Sequence, residues 1–192
     1  MAFLERDQLE RMGFKHLGRN VRIGDKAAVY NPELVEIGDE SRIDDFCVVS
    51  GKVTLGRNVH IAVFCNLAGG SEGIVIEDFA GCAYGCQLFS QSDDYSGRSL
   101  TNPTVPARFK RETKKKIHVG RHCILGTGAI VFPGVTLAEG TSVGATAVVT
   151  RSTEEWSIYV GNPARRLKAR RRDLLELERA YLAAEGETHA SA

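Results

Sequence analysis

The sequence lacks any long apolar run, and no segment approaches the roughly 20 apolar residues that a membrane-spanning helix needs. Its first residues, MAFLERDQLERMGF, mix charged side chains among the apolar ones, which is not the pattern of a secretory signal or a transit peptide. The 192 residues carry a net charge of only +1, so the total charge favours neither nucleic-acid nor membrane-surface binding. These absences predict one cytoplasmic domain with small appendages.

Cysteine is present without any pairing motif. The chain has five cysteines and no CxxC sequence, so nothing indicates a disulfide framework or a zinc ribbon. Free cysteine behaves as a small hydrophobic residue and is usually buried. We therefore predict five reduced core residues in a reducing compartment. They fall on inward positions of the repeat described next: Cys47, Cys65, Cys82, Cys86 and Cys123.

What the sequence does have is a repeat of six residues. An aliphatic residue recurs at every sixth position from Val119 to Val149, and the residue after it is usually small. A period of six fits neither a helix at about 3.6 residues per turn nor a free strand with a period of about 2. It fits a chain that turns a corner after each short strand and points one bulky side chain inward from each face. Short repeats of this kind indicate a β-helix.

The same register extends toward the N-terminus, with small insertions after Val29 and Leu67. Grouped in threes, the positions predict an all-β prism of about six coils, roughly 29 Å long at a strand spacing of about 4.8 Å. The aliphatic positions are Leu17, Ile23, Val29, Ile37, Ile43, Val49, Leu55, Ile61, Leu67, Ile76, Cys82, Leu88, Val119, Leu125, Val131, Leu137, Val143 and Val149.

Three segments follow from this register. Residues 1–16 form an N-terminal cap with a helix expected over 2–12, because the open end of a repeat needs a polar cover. Residues 17–150 form the β-helix domain. Residues 151–192 form a C-terminal extension with a helix over 173–184 and a frayed tail, GETHASA.

The register is interrupted between residues 89 and 117. Long loops in compact domains are usually functional or disordered. Both ends of this segment rejoin the same corner of the prism, since Leu88 ends one coil and Val119 begins the next. We expect an ordered flap over a site, with a floppy insertion as the alternative.

Two C-terminal motifs carry a resemblance to a known family. Gly144-Ala-Thr-Ala-Val-Val-Thr is followed by Val160-Gly-Asn-Pro-Ala-Arg, and the stretch from Ile130 reads Ile-Val-Phe-Pro-Gly-Val-Thr-Leu. With the repeat, they resemble the hexapeptide-repeat acyltransferases over residues 17 to about 170. The closest likeness is to the maltose and galactoside O-acetyltransferases and to sugar acetyltransferases found with surface-polysaccharide genes. The resemblance implies a left-handed parallel β-helix, a homotrimer, acetyl-CoA as donor and sites between subunits.

The function implied is acetyl transfer from acetyl-CoA to a hydroxyl or amino group of a sugar or sugar nucleotide, in cell-surface polysaccharide synthesis. A narrow crevice lined by small residues suits the thin pantetheine arm of CoA, and arginine suits its phosphates. The alternative is that small residues only permit tight turns and that the basic run is a solvated surface. The expected CoA-binding residues are Gly126, Thr127, Gly144, Ala145, Thr146, Pro163, Arg165, Arg166 and Lys168.

The general base is less clear from the sequence. The resembling O-acetyltransferases carry a histidine after the coil that precedes the flap, and this chain has Asp93 there. His60, at an exposed corner, is the first candidate, because histidine titrates near neutral pH. It would be oriented by Asp93 or Asp94. For an amino-sugar acceptor no strong base is needed, and the two aspartates would hold the amine and take its proton.

His118 and His122 are weaker candidates, since both fit outward repeat positions. Together with His60 they allow a second hypothesis, a zinc lyase like the trimeric carbonic anhydrases, which needs three histidines across an interface. A third hypothesis is a non-catalytic scaffold, supported by the missing family histidine. No metal site is assigned.

Overall fold

The computed structural model describes residues 1–190, with side chains to residue 186, and Ser191 and Ala192 lie outside the described residues. The chain winds as a parallel β-helix with three faces, as expected. Each aliphatic position of the repeat pairs with the equivalent position of the next coil, for example Leu17 with Ile37 and Ile43 with Ile61. The six coils predicted are complete, and a further strand begins a seventh.

Short strands on three faces build the prism. Face 1 contains β1 (His16–Leu17), β4 (Val35–Ile37), β13 (Ile117–Val119) and β16 (Thr136–Leu137). Face 2 contains β2 (Arg22–Ile23), β5 (Arg42–Ile43), β7 (His60–Ile61), β9 (Gly81–Cys82), β14 (Ile124–Leu125), β17 (Ser142–Val143) and β19 (Ser157–Val160). Face 3 contains β3 (Ala28–Tyr30), β10 (Gln87–Phe89), β15 (Ile130–Val131) and β18 (Val148–Val149). Two longer strands turn the corner from face 3 to face 1: β6 (Val48–Leu55) and β8 (Asn66–Ile76).

The core is the single column of side chains inside this prism. Apart from Leu17 and Val29, which are partly buried, its aliphatic residues are almost completely buried. Each fully buried one contributes about 1.5–3 kcal/mol of gross burial free energy. All five cysteines are free and buried, which confirms their expected place in the core. Burial raises the pKa of the Cys123 thiol to about 12, so this thiol stays protonated and unreactive at neutral pH.

The N-terminal helix is shorter than the expected span of residues 2–12. Helix α1 spans Arg6–Arg11 and buries Leu9 against the first coil. Before it, the backbone of Leu4 donates to the carbonyl of Ile23, so the first residues cover the edge of face 2. Arg6 in turn donates to the carbonyl oxygen of Gly18 at 2.6 Å. The open end of the β-helix is thus covered by both a strand segment and a helix.

The C-terminal extension forms a hairpin and a helix. Strand β20 (Arg165–Ala169) pairs antiparallel with β19. Helix α2 spans Leu174–Ala190, so it continues beyond residue 184 through most of the tail that was expected to fray. It lies along the corner between faces 1 and 2. No helix within residues 1–190 is long and apolar enough to cross a membrane.

The flap leaves the prism after β10. Its two ends pair as a short antiparallel ladder, β11 (Gln91–Ser92) with β12 (Thr113–Lys114). Two turns of 3-10 helix also occur, at Pro32–Leu34 and inside the flap at Ala107–Phe109. The paired base means that the flap has a defined path away from the corner between faces 3 and 1.

Candidate active site

The small residues expected to bind CoA come together at the corner between faces 2 and 3. Gly126 and Thr127 form this corner in one coil, and Gly144, Ala145 and Thr146 form it in the next. The amide of Thr146 donates to the carbonyl of Thr127 at 2.8 Å, which fixes the stacking of the two coils. A Cβ on Gly126 would meet the backbone nitrogen of Ala145 at 2.6 Å, so tight stacking also requires glycine there.

Aromatic side chains continue the same corner in the earlier coils, which the sequence analysis missed. Phe46 and Phe64 are stacked with ring centroids 5.1 Å apart, and both are more than half exposed. Tyr84 follows in the next coil and is 60% exposed. The corner therefore has an aromatic part and a small-residue part, which we call the open corner. The signal was available, because all three side chains lie two or three residues after an inward position of face 2.

His60 lies on face 2 itself and not at a corner as expected. Its side chain is 52% exposed, and its Nε2 lies 2.9 Å from Oδ2 of Asp44. Arg42 donates from Nε to the other oxygen of the same buried carboxylate. Burial alone would raise the pKa of Asp44, but the hydrogen bonds from Arg42 and His60 hold this pKa below its ordinary value. Asp44, which the sequence analysis did not single out, therefore stays ionised and holds the imidazole.

Asp93 and Asp94 lie in the flap and, within one chain, line a different cavity from His60. Oδ2 of Asp93 accepts a hydrogen bond from the amide of Asn102 at 3.2 Å. Oδ1 of Asp94 accepts from the amide of Ser96 at 2.8 Å. Hydrogen bonding by the Ser96 side chain, and then by this amide, lowers the pKa of Asp94. The two aspartates shape the flap, and the hydrogen-bonding carboxylate found for His60 is Asp44.

The cavity at the flap measures about 370 Å³ and carries both signs of charge. Arg98 and Arg111 line it together with the two aspartates. Such a site can hold a polar ligand that has both a cationic and an anionic group. The flap thus contributes polar groups that the repeat itself does not offer.

The other two histidines are tied to separate carboxylates. His118 lies on face 1 with its Nε2 2.9 Å from Glu77. His122 was expected at an outward position, but it is buried between the rings of Phe79 and Trp156, and its Nε2 lies 3.1 Å from Glu178. The correction follows from α2, which covers this corner. Within residues 1–190 no group of three or more histidine, cysteine or acidic side chains is arranged to hold a metal ion.

The basic residues lie at the end of the open corner. Strand β19 follows the last coil, with the amide of Gly144 donating to the carbonyl of Tyr159 at 2.8 Å. The turn with Pro163 and strand β20 then place Arg165, Arg166 and Lys168 at the surface. Arg166 also donates to Oγ of Ser157 at 3.0 Å. The small residues of the open corner are therefore followed by a cationic strand.

Arg170 differs from the other basic residues of this run. Its guanidinium turns inward and donates to the carbonyl oxygens of His122 and Gly140 at 2.7 and 3.0 Å. Burial lowers the pKa of Arg170 from its ordinary value. This arginine fastens the extension to the prism and is not available at the surface as the other basic residues are.

No family model matches the chain. A curated dTDP-4-amino-4,6-dideoxy-D-glucose acyltransferase of Escherichia coli is 39% identical over 184 residues, covering 94% of this chain and 95% of the relative. The N-acyltransferase AntD from Bacillus cereus, solved with dTDP and 3-hydroxybutyryl-CoA, is 42% identical with a TM-score of 0.95, covering 96% and 98% of the two chains.

A maltose O-acetyltransferase from Clostridium difficile is 19% identical with a TM-score of 0.60, covering 87% of this chain and 75% of that one, and shares the fold alone. The long matches at about 40% identity cover the flap as well as the repeat. They therefore include the polar flap and the small residues of the open corner. The chain belongs to the hexapeptide-repeat acyltransferases and is an acyl-CoA-dependent sugar acyltransferase.

Proposed function

We propose that this enzyme transfers the acyl group of an acyl-CoA to the 4-amino group of a dTDP-linked 4-amino-4,6-dideoxy sugar. The observation that carries the proposal is the likeness over the full length to AntD, which has also been solved, as a serine-to-alanine variant, with dTDP-4-amino-4,6-dideoxyglucose and CoA. The Escherichia coli relative is named for the same sugar nucleotide. The amino group also explains why the flap carries Asp93 where the resembling O-acetyltransferases carry histidine.

We assign the donor to the open corner. The pantetheine arm would lie along Gly126, Thr127, Gly144, Ala145 and Thr146. The phosphates would lie at Arg165, Arg166 and Lys168, next to the turn at Pro163, because guanidinium groups suit phosphate geometry. This direction brings the sulfur toward His60 and Tyr84, which line a cavity of about 270 Å³ on the same side.

The reaction needs one proton acceptor. The neutral amine attacks the thioester carbonyl carbon, the C–N bond forms, the C–S bond breaks, and CoA leaves as a thiolate that takes up a proton. The amine loses one proton in forming the amide. We assign that proton to His60, with its imidazole held by Asp44, and we assign to Asp93 and Asp94 the binding of the amino sugar. A base within hydrogen-bond reach contributes typically about 10²–10⁴ in rate.

We further propose that the site is completed in a homotrimer. Within one chain the flap aspartates and His60 line separate cavities, so a site that uses both needs the flap of a neighbouring subunit. The exposed Phe46, Phe64 and Tyr84 offer an apolar surface for that subunit, because exposed aromatic patches often mark interfaces. We place the reaction in the cytoplasm, in the synthesis of activated sugars for surface polysaccharides.

The test is direct. The purified chain is incubated with dTDP-4-amino-4,6-dideoxyglucose and acetyl-CoA, and the amide product is followed by mass spectrometry. We expect product with this acceptor and none with the matching 4-hydroxy sugar nucleotide. Absence of product with every acyl-CoA, or absence of CoA binding by isothermal titration, would refute the proposal. Light scattering gives the number of subunits.

A further inference from the structure

Gly81 occupies an outward position of β9 that the fold does not require to be glycine. It pairs with His60 on one side and with Ile124 on the other. A Cβ at this position would meet only the carbonyl oxygen of His60, at an ordinary contact distance of 3.4 Å. Its φ is also outside the left-handed region that favours glycine. Glycine inside a strand weakens it and often marks the close approach of a ligand or another backbone.

Two cavities meet at this glycine. His60, Gly81 and Ile124 line both a cavity of about 270 Å³ and a cleft of about 520 Å³. The smaller cavity extends toward Tyr84 and the open corner, where the donor slot lies. The larger cleft extends the other way, beneath α2. Because Gly81 has no side chain, nothing projects from β9 at the position that the two spaces share.

The polar groups of the larger cleft are already bonded within the chain. Asn58 donates to the hydroxyl of Tyr181 at 3.1 Å, and the Nε2 atom of His60 lies 2.9 Å from Asp44. An occupant therefore gains little by offering hydrogen bonds. His122 is hydrogen-bonded to Glu178, and Arg170 donates to two backbone carbonyls. The rest of the lining is mainly apolar: Phe79, Ala80, Ile124, Leu174 and Leu177.

We propose that this cleft is an acyl pocket that selects donors with acyl groups longer than acetyl, and that Gly81 keeps its entrance open. The inference rests on the proposed donor site at the open corner. An acyl chain on the CoA sulfur would start in the smaller cavity, cross Gly81 and lie against the apolar side of α2. A short hydrocarbon chain matches a lining whose hydrogen-bonding groups are taken.

The test compares acetyl-CoA with butyryl-CoA in the full-length enzyme and in Gly81→Val. The Cβ of the valine would meet only the carbonyl oxygen of His60, at 3.4 Å, and its two methyl groups add bulk at the entrance. One methylene in an apolar pocket changes relative rates by about ten-fold or more. We expect the unsubstituted enzyme to prefer butyryl-CoA, and Gly81→Val to lower the butyryl-to-acetyl ratio of kcat/KM at least about ten-fold. Ile124→Ala, which widens the entrance, should move the preference toward hexanoyl-CoA.

The matched control is Ala28→Val, which adds the same kind of bulk to an outward position of β3, away from both cavities. It should keep the ratio of the unsubstituted enzyme. A ratio that Gly81→Val leaves unchanged overturns the proposal. An equal loss of kcat/KM with both donors, together with a smaller molecular mass by light scattering, also overturns it. That result would mean that a neighbouring subunit packs against Gly81.

Binding measurements distinguish failure of the acyl pocket from failure of the proposed reaction. If no acyl-CoA supports transfer, isothermal titration with butyryl-CoA and with free CoA still measures whether the acyl chain adds to the affinity. Tighter binding of butyryl-CoA that is lost in Gly81→Val supports the acyl pocket even then. Equal binding of the two ligands overturns it.

Discussion

Two corners of the prism differ in what covers them. At the corner between faces 1 and 2, α2 pairs Glu178 with Arg121 and Glu185 with Arg57. The two arginines are two coils apart, about 9.6 Å, and the two glutamates are seven helical residues apart, about 10.5 Å. At the open corner, by contrast, Phe64 and Tyr84 are about 60% exposed. The chain thus closes one corner with its own helix and leaves the other exposed.

The largest effect should come from His60, which lies between the two corners. We expect His60→Ala to lower kcat about 10²-fold or more with saturating donor and acceptor, because the proton of the amine loses its acceptor. Asp44→Asn should lower kcat less, since the amide still bonds the ring. His16→Ala, an exposed histidine on face 1, is the control. Full activity of His60→Ala would mean that the amine needs no base from face 2.

The second-largest effect should come from obstructing the open corner, which should lower kcat/KM for the donor. Ala145→Trp places a large ring at an exposed turn position where pantetheine is proposed to lie. Since misplacement of about 1 Å can cost about 10²-fold in rate, kcat/KM for acetyl-CoA should fall by about that factor. Thr150→Trp, exposed after the last coil, should leave it unchanged. Equal behaviour of the two variants would place the donor elsewhere.

A substitution at the cationic end of the open corner should have a smaller effect, on KM for the donor. Arg165→Glu should raise KM for acetyl-CoA about ten-fold, because one charged hydrogen bond is worth about 1.5–3 kcal/mol. Acetyl-dephospho-CoA lacks the 3′-phosphate. Comparing it with acetyl-CoA distinguishes a specific contact between Arg165 and that phosphate from general attraction between opposite charges. If Arg165 contacts that phosphate, the substitution will change KM much less with this donor. The same ten-fold change with both donors would contradict a specific contact.

The closed corner predicts a change of stability. Glu178 is 9% exposed and bonds both Arg121 and His122, so Glu178→Gln loses a charge from a covered pair. We expect the free energy of unfolding to fall by about 1–3 kcal/mol, and Tm by about 2–4 °C for each kcal/mol. Glu10→Gln, which changes an exposed pair on α1, should not shift Tm measurably. An unchanged Tm for Glu178→Gln would show that α2 adds no stability at this corner.

The repeat was readable because one inward side chain per six residues has a single structural solution. The positions from Leu17 to Val149 took their expected places, although Leu17 and Val29 in the first coil are only partly buried. The cysteines were assigned correctly because they follow the same register. Asp44 was missed because its role depends on the next coil, which contains His60. It precedes His60 by 16 residues, close to one coil, and the two side chains meet only when the coils stack.

The sequence by itself determined the β-helix, its register, the flap and the family, since these follow from local periodicity and contiguous motifs. Only the tertiary structure decided which corner α2 covers, that His122 is buried, that Asp44 is the partner of His60, and that Gly81 lines two cavities. Each of these depends on contacts between residues far apart in the chain. Such contacts arise from stacking and from the return of α2, and a period of six carries no information about them.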